Sequence, residues 1–468
     1  MRRRINVIAI AALLSACAQM PERNIPADVI GMLPDQFTDV VAMPDTGVSP
    51  TWWQAFDDPK LITLVEQGLR YNSDLIVAGE RLREARATMR AVRSAQLPEV
   101  SALVGGTRQR TLIIGLPDST IAETAEYGVQ VSYEADLWGR LASQTEAERQ
   151  RYLAQGYTLA SLRLTIAAEL VRAYLQAQSF AEARIVLEEN VQVLDDQLRL
   201  SRRRHEVGAI SELDLQRFRS ELEDSRAQLA ETTQQLHAVQ RALLVLAGQL
   251  PTDEHVARVD IESEERLPAA LPIVPTGLPS SMLNRRPDLR AAEANLAAAG
   301  ADLNAARRAW LPSIAITGSA GEVSTNLSDL FKDGVNVWSV AATVTQAIFD
   351  GGWRSAAIEI SDARRNQLAE TYRATVRQAF REALDALDAR TAADAVYRAR
   401  AEQSEALRTA LRLAQRRYDE GYSDYLGVLD ARRSLLQSRL ALAEARRNGG
   451  TAYVDLVLAV GGGWSEST

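Results

Sequence analysis

"YGVQVSYEADL", residues 127–137, decides the fold. Tyr127, Val129, Val131, Tyr133, Ala135 and Leu137 fall on one side of an extended chain, and Gly128, Gln130, Ser132, Glu134 and Asp136 on the other. Such alternation is the period of a strand, and its length matches a tilted membrane strand. A second stretch puts Trp338, Val340, Ala342, Val344 and Ile348 on one side, with Ser339, Thr343 and Thr345 opposite. Weaker runs follow Pro98 (Val100, Ala102, Val104) and Pro312 (Ile314, Ile316, Ala320). The pattern predicts two hairpins, four strands in all. Four strands cannot close a barrel, and an open edge is not tolerated in lipid; closure takes at least about eight strands. A membrane location therefore requires several copies, and two or three both satisfy the count. A soluble two-hairpin sheet on a helical body has the same pattern.

Proline placement marks the helices. Prolines crowd residues 21–59 and 251–287, and none occurs in 118–250 or after Pro312. Proline costs about 3 kcal/mol inside a helix, so the proline-free stretches permit very long ones. Residues 140–207 contain one glycine, Gly156, and residues 353–420 contain none. Each stretch would span roughly 100 Å as a continuous helix. Leu159, Leu162, Ile166, Leu170, Tyr174, Ala177 and Ala181 recur at steps of three and four, a coiled-coil-like stripe rich in small residues.

The chain also repeats itself. "NSDL" (72–75) aligns with "RPDL" (286–289) at a step of 214, which also carries Leu97-Pro98 onto Leu311-Pro312. A step of 213 carries Gly208 onto Gly421, Leu213 onto Leu426 and Gly248 onto Gly461. The expected organisation is a first repeat over 61–250, a linker over 251–274 and a second repeat over 275–463. Each repeat reads as helix, hairpin, long helix, glycine turn and shorter helix.

The only cysteine is Cys17, so no intramolecular disulfide and no multi-cysteine metal site is available. Three arginines, a short apolar run and small residues precede it, the order of a secretory signal over 1–16. Leu14-Ser15-Ala16 before the cysteine resembles the lipobox of bacterial lipoproteins. That resemblance implies cleavage before Cys17, its lipidation, and a lipidated strap over 17–60; Ala18 leans towards the outer membrane. Beyond the signal no apolar run is long enough for a membrane helix, so any crossing would be made by strands.

Net charge is −8 with 24% charged residues, no nucleic-acid footprint despite the arginines. Lys60 and Lys332 are the only lysines. His205, His237 and His255 are scattered without metal-ligand spacing, no phosphate-binding loop occurs, and no catalytic constellation is visible. The sequence predicts a protein that is not an enzyme and that draws any energy from a partner. His205 reads as a favourable charge or cap at a helix end.

"WWQAFDDPKLITLVEQGLRYNSDL" (52–75), "DLWGR" (136–140), "QAIFDGG" (346–352) and "GGGW" (461–464) together resemble the TolC/OprM-type outer-membrane efflux channels, in their lipoprotein branch, the NodT family. The resemblance covers nearly the whole mature chain. It implies a mainly α fold with a small β part: a homotrimer whose twelve-stranded transmembrane barrel continues into a long periplasmic helical barrel. It also implies partners, namely a periplasmic adaptor (membrane fusion protein), an inner-membrane RND-type pump and outer-membrane lipid, with no cofactor except the lipid on Cys17. Trp52 and Trp53 read as core packing.

By the same resemblance the helical tips close the tunnel. Leu426 would form an apolar constriction, Asp430 a ring of carboxylates, and Arg433 its basic neighbour. Steps of four and three place the three on one face of a helix. Repeated around an axis, the carboxylates would repel anions and attract cations. Gly427 stands where some relatives carry a second acid. Asp214 and Tyr418 match positions that brace the tip by a hydrogen bond. Gly208, Ala209, Gly421 and Tyr422 would meet the adaptor. The leading expectation is the exit duct of a tripartite pump exporting drugs or other small toxic solutes. The alternatives are the duct of a type I secretion system and a lipid-anchored helical scaffold without a pore.

Overall fold

The computed structural model describes residues 48–111, 120–252, 254–255, 274, 282–325, 328, 331–332 and 334–464. Cys17, the signal and most of the strap and linker expected from sequence lie outside the described residues.

The alternating stretches form strands β1 (Glu99–Thr111), β2 (Thr120–Glu134), β3 (Ser313–Ser324) and β4 (Val335–Thr345). They make one antiparallel sheet in the order β1-β2-β3-β4. Register turns four separate alternations into two coherent faces. Ala102, Val129, Ala320 and Trp338 lie in one row across the strands, and Val100, Val131, Gly318 and Val340 in another. Between these rows lies the polar row Ser101, Gln130, Ser319 and Ser339, where the Ser319 and Ser339 hydroxyls are 2.9 Å apart. A one-residue slip would mix these rows, so any environment that buries one face would fix the register. Gly128 and Gly321 face each other across β2 and β3, where a Cβ on Gly321 would collide with the Tyr127 carbonyl.

The structure corrects the strand ends. β2 begins seven residues before Tyr127 and stops at Glu134. Asp136 turns out of the strand because its carboxylate accepts the Ala142 amide at 2.8 Å, and Gly139 takes a φ of 75° just before the helix. Leu137 and Ile348 are therefore outside the strands.

The helices are α1 (Pro59–Tyr71), α2 (Ser73–Ser94), α3 (Arg140–Glu206), α4 (Glu212–Leu246), the single turn α5 (Met282–Arg285), α6 (Pro287–Arg308), α7 (Trp353–Asp419) and α8 (Leu426–Ala459). The two long ones, α3 and α7, have 67 residues each, one fewer than the stretches expected from proline placement. Neither is amphipathic along its whole length, so packing rather than a single apolar face sustains them. No helix among the described residues is long and apolar enough to cross a membrane.

The chain divides into two compact units that cut across the two halves of the sequence. One comprises the sheet with residues 81–156 and 291–374. In the other, Ile166, Leu170, Tyr174, Ala177 and Ala181 of the α3 stripe are buried. The 3-10 turn Trp52–Phe56 is buried in the same unit, Trp52 and Trp53 at 2% and 6% exposure, edge to face at 5.8 Å, and Phe56 edge to face with Tyr453 at 5.5 Å. Asp58 caps α1 by accepting the Lys60 and Leu61 amides and also accepts the Tyr174 hydroxyl at 2.5 Å.

The aligned motifs "NSDL" and "RPDL" make matching clasps in this unit. The Asn72 amide donates to the Leu246 carbonyl at the end of α4 (3.0 Å), and the Arg286 guanidinium donates to the Ala459 carbonyl at the end of α8 (3.2 Å). Both bonds satisfy a carbonyl that a helix terminus leaves orphaned. Arg286, 8% exposed, is in turn held by Asp288 and Glu382, each at 2.8 Å.

Candidate functional site: the paired helical tips

The residues singled out from sequence converge where α3 turns into α4 and α7 turns into α8. Both turns are built alike. Gly208 and Gly421 adopt left-handed φ values of 71° and 78°. In each, the next amide reaches back to close the helix: Ala209 to the Arg204 carbonyl and Tyr422 to the Arg417 carbonyl, both at 2.8 Å. This is glycine's usual role at a helix C-terminus.

The following helices start differently. Ser211 caps α4, its hydroxyl accepting the Asp214 amide (3.1 Å) and donating to the Asp214 carboxylate (2.6 Å). Glu212 and Asp214 place negative charge in the first turn, where the helix dipole favours it. His205 ties the turn together, with Nδ1 3.2 Å from the Ile210 carbonyl and Nε2 3.1 Å from Glu212. By contrast α8 starts at Leu426 with Tyr425 as N-cap, no side-chain cap and no acid in its first turn.

A small core joins the two hairpins. Leu194 and Leu198 of α3, Phe218 and Leu222 of α4, and Leu429 of α8 are buried together, with Ile210, Leu215 and Tyr425 against them. Tyr425 lies between Phe218 (centroids 4.6 Å apart) and Tyr418 (5.0 Å). Arg204 hydrogen-bonds the Tyr418 hydroxyl and sits over its ring. Burial pushes the Tyr425 hydroxyl up from its ordinary pKa.

Leu426, Asp430 and Arg433 lie on one exposed stripe of α8, while Val428 and Leu429 face inward. The partners differ from the sequence expectation. Arg433 ion-pairs with Glu221 of α4, its Nε 2.7 Å from the carboxylate, and that hydrogen bond raises the arginine pKa further. Asp430 thus stands beside an arginine that is already engaged. Asp214 and Tyr418 do not bond each other in this chain: Asp214 is held by Ser211 and by Arg217 at 3.5 Å, and Tyr418 by Arg204. The capping box draws Asp214 back onto its own helix.

Glu221, Phe218, Tyr425 and Arg204 were missed from sequence. Glu221 left a usable signal. It sits between Phe218 and Leu222 on the inward face of α4, with a side chain 10% exposed, and an acid on an apolar face requires a cationic partner. Gly208, Gly421 and Tyr422 form open turns, Tyr422 at 74% exposure and Val207 at 79%.

Among the described residues no group of three or more His, Cys, Asp and Glu side chains could hold a metal ion.

Comparison with known proteins follows the same geometry. The family model "Outer membrane efflux protein" matches residues 64–249 and 278–462, one segment in each half. Outer membrane protein OprJ of Pseudomonas aeruginosa is 32% identical over 468 residues, covering 99% of this chain and 96% of that protein. Toluene efflux pump outer membrane protein TtgC of Pseudomonas putida is 31% identical with the same coverage. Among solved structures, the outer-membrane channel OprN superimposes with a TM-score of 0.87 at 29% identity, over 96% of this chain and 100% of that one. The open state of the MtrE outer membrane channel of Neisseria gonorrhoeae does so with 0.84 at 29%, over 96% and 98%. The mainly helical, TolC-like fold read from sequence is therefore the fold of the chain, and the protein belongs to the outer membrane efflux protein family.

Proposed function

We propose that the chain is the outer-membrane exit duct of a tripartite efflux system. Three copies close their sheets into a twelve-stranded barrel, and the long helices carry the tunnel into the periplasm. A periplasmic adaptor engages the turns at Gly208-Ala209 and Gly421-Tyr422, and an inner-membrane RND-type pump supplies the energy. Cys17, cleaved and lipidated, anchors the mature chain to the membrane. The solutes are drugs or other small toxic compounds, in keeping with relatives named for toluene and antibiotic efflux.

The observation that carries this reading is the sheet. Across its middle rows one face is apolar (Val100, Val131, Val340; Ala102, Val129, Ala320, Trp338) and the row between them is polar (Ser101, Gln130, Ser319, Ser339), and its outer strands β1 and β4 each have one side without a partner among the described residues. An apolar face suits lipid, a polar face suits a water-filled lumen, and open edges require further copies. At the tips, three Asp430 carboxylates form the constriction and three Leu426 side chains an apolar collar beside it. Arg433, held by Glu221, keeps α8 in the closed position, with the tip braced by Tyr418 on Arg204 and Asp214 on Ser211.

Planar-bilayer conductance tests this. Small, flickering wild-type currents that rise clearly in Asp430→Ala support a pore constricted at Asp430. Wild-type currents unchanged by the substitution keep the duct and remove the gate. Silence from both, in folded and inserted protein, favours the helical scaffold.

A further inference from the structure

Where α3, α6 and α7 meet the foot of the sheet they bound a cavity of about 420 Å³. All of its lining belongs to the unit that contains the sheet. Arg140 and Arg151 line it from α3, and Arg354 and Arg364 from α7. Asp302 of α6 is the one carboxylate in the lining, so four guanidiniums face a single negative charge. Helical spacing gathers them: Arg354, Ala357, Ser361 and Arg364 follow at steps of three and four and share one face of α7. Ala305, Ala306 and Ala309 of α6 leave the room between the helices, and Trp353, 70% exposed, adds an aromatic wall.

Three of the arginines are held from one side only. Glu134 holds Arg140 at 2.6 Å, Glu148 holds Arg151 at 2.5 Å, and Asp350 lies 3.8 Å from Arg354. None of these three carboxylates lines the cavity. Arg151 also pairs with Asp302. A guanidinium has five N–H donors, so each arginine keeps donors for a further acceptor. Arg364 makes no hydrogen bond or ion pair among the described residues and feels Asp302 only at longer range.

The cavity also has a side. Glu134 continues the polar alternation of Gly128, Gln130 and Ser132 along β2. Its hold on Arg140 therefore puts that arginine on the polar side of the sheet, which the duct reading turns towards the tunnel.

We propose that this cavity is a subsite for small organic anions that carry an aromatic ring or a short apolar chain. The anionic group meets Arg354 and Arg364, since guanidinium and carboxylate match in two parallel hydrogen bonds. The apolar part lies against Trp353 and the alanines. The volume falls in the range of about 300–1,000 Å³ usual for small-molecule pockets. A cationic site beyond the Asp430 carboxylates holds anions that have crossed them and opposes their return. The place on the tunnel rests on the duct reading, whereas binding at the cavity does not.

Fluorine NMR on the full-length protein in uncharged detergent tests this, with para-trifluoromethylbenzoate as the probe and para-trifluoromethylbenzyl alcohol as its neutral counterpart. The benzoate line should broaden, the alcohol line far less, and added salt should reverse the broadening. Arg364→Gln should weaken binding about three- to tenfold, because it removes a charge-assisted contact that solvent partly screens. Arg364→Lys should recover part of that loss through charge. Asp302→Asn should tighten binding, because it removes the opposing carboxylate and releases Arg151; a merely structural role for Asp302 gives no such gain. Equal broadening of both probes overturns the subsite and leaves the duct intact. So does binding that neither Arg364→Gln nor Asp302→Asn moves in folded protein. In planar bilayers the benzoate should reduce the current of the Asp430→Ala channel, and much less that of Asp430→Ala/Arg364→Gln. Binding with no effect on the current, or displacement of the probe by anionic phosphatidylglycerol in nanodiscs, overturns the placement on the tunnel. Retained binding by protein whose Asp430→Ala form is silent in bilayers overturns the duct reading and not the site.

Discussion

The two helical tips share a turn and differ in how the next helix begins. At the first, Ser211 caps α4, Asp214 returns the bond, and His205 reaches Glu212 across the turn. At the second, α8 begins without a side-chain cap, and Gly427 occupies its first turn. Capping contributes about 1 kcal/mol, and glycine costs about 0.8–1 kcal/mol relative to alanine inside a helix. The second tip is therefore softer by an amount comparable to one hydrogen bond or two. It also carries Leu426 and Asp430, the proposed constriction. Restraint is concentrated on the hairpin that holds the tip, and compliance on the hairpin that would move.

Substitutions at four positions probe that contrast. Phe218→Ala should have the largest effect, because it removes the ring from α4 on which Tyr425 of the second tip rests. A cavity of that kind costs about 3–5 kcal/mol, and urea denaturation together with faster amide exchange at both tips would report it. If exchange rises only in α4, the two tips are not coupled through this core.

Arg433→Ala removes the donor to a carboxylate that is 10% exposed. The arginine itself is 59% exposed, so solvent screens the loss, and about 1–3 kcal/mol is expected. Conductance should rise as α8 is released. Lysine at the same position should restore part of the closed behaviour through charge alone, without the two-pronged contact. Equal currents from the arginine, lysine and alanine forms would remove Glu221–Arg433 from the gate.

Ser211→Ala should cost about 1 kcal/mol and bring the first tip closer to the second. Faster exchange of the Asp214 amide is the direct reading. Gly427→Ala works in the opposite direction. No atom lies within 4 Å of the position a Cβ would take, so the substitution is free of clashes. It should stabilise α8 by about 0.5–1 kcal/mol, slow exchange in its first turn and reduce flickering of the current. If neither change alters the difference in exchange between the tips, the softness of the second arises elsewhere.

The sequence determined the elements with little help. Alternation in residues 127–134 and 338–344 specified strands because one face must be apolar and the other polar. The absence of proline permitted helices as long as α3 and α7, and the stretches 140–207 and 353–420, flanked by Gly139, Gly208, Gly352 and Gly421, matched their lengths to within one residue. The repeat fixed the order of elements, and Gly208 and Gly421 marked the turns because a left-handed φ favours glycine. Tertiary structure alone decided the partners. Asp214 was expected to reach Tyr418, and instead its own N-cap satisfied it first, two bonds within one turn competing against one bond between helices. Arg433 was placed beside Asp430 by helical spacing and turned to Glu221, because a poorly hydrated carboxylate needs a cation more than an exposed one does. Local periodicity records which face of an element is buried. Which side chain meets which across two helices depends on their relative rotation and height, and only packing sets those.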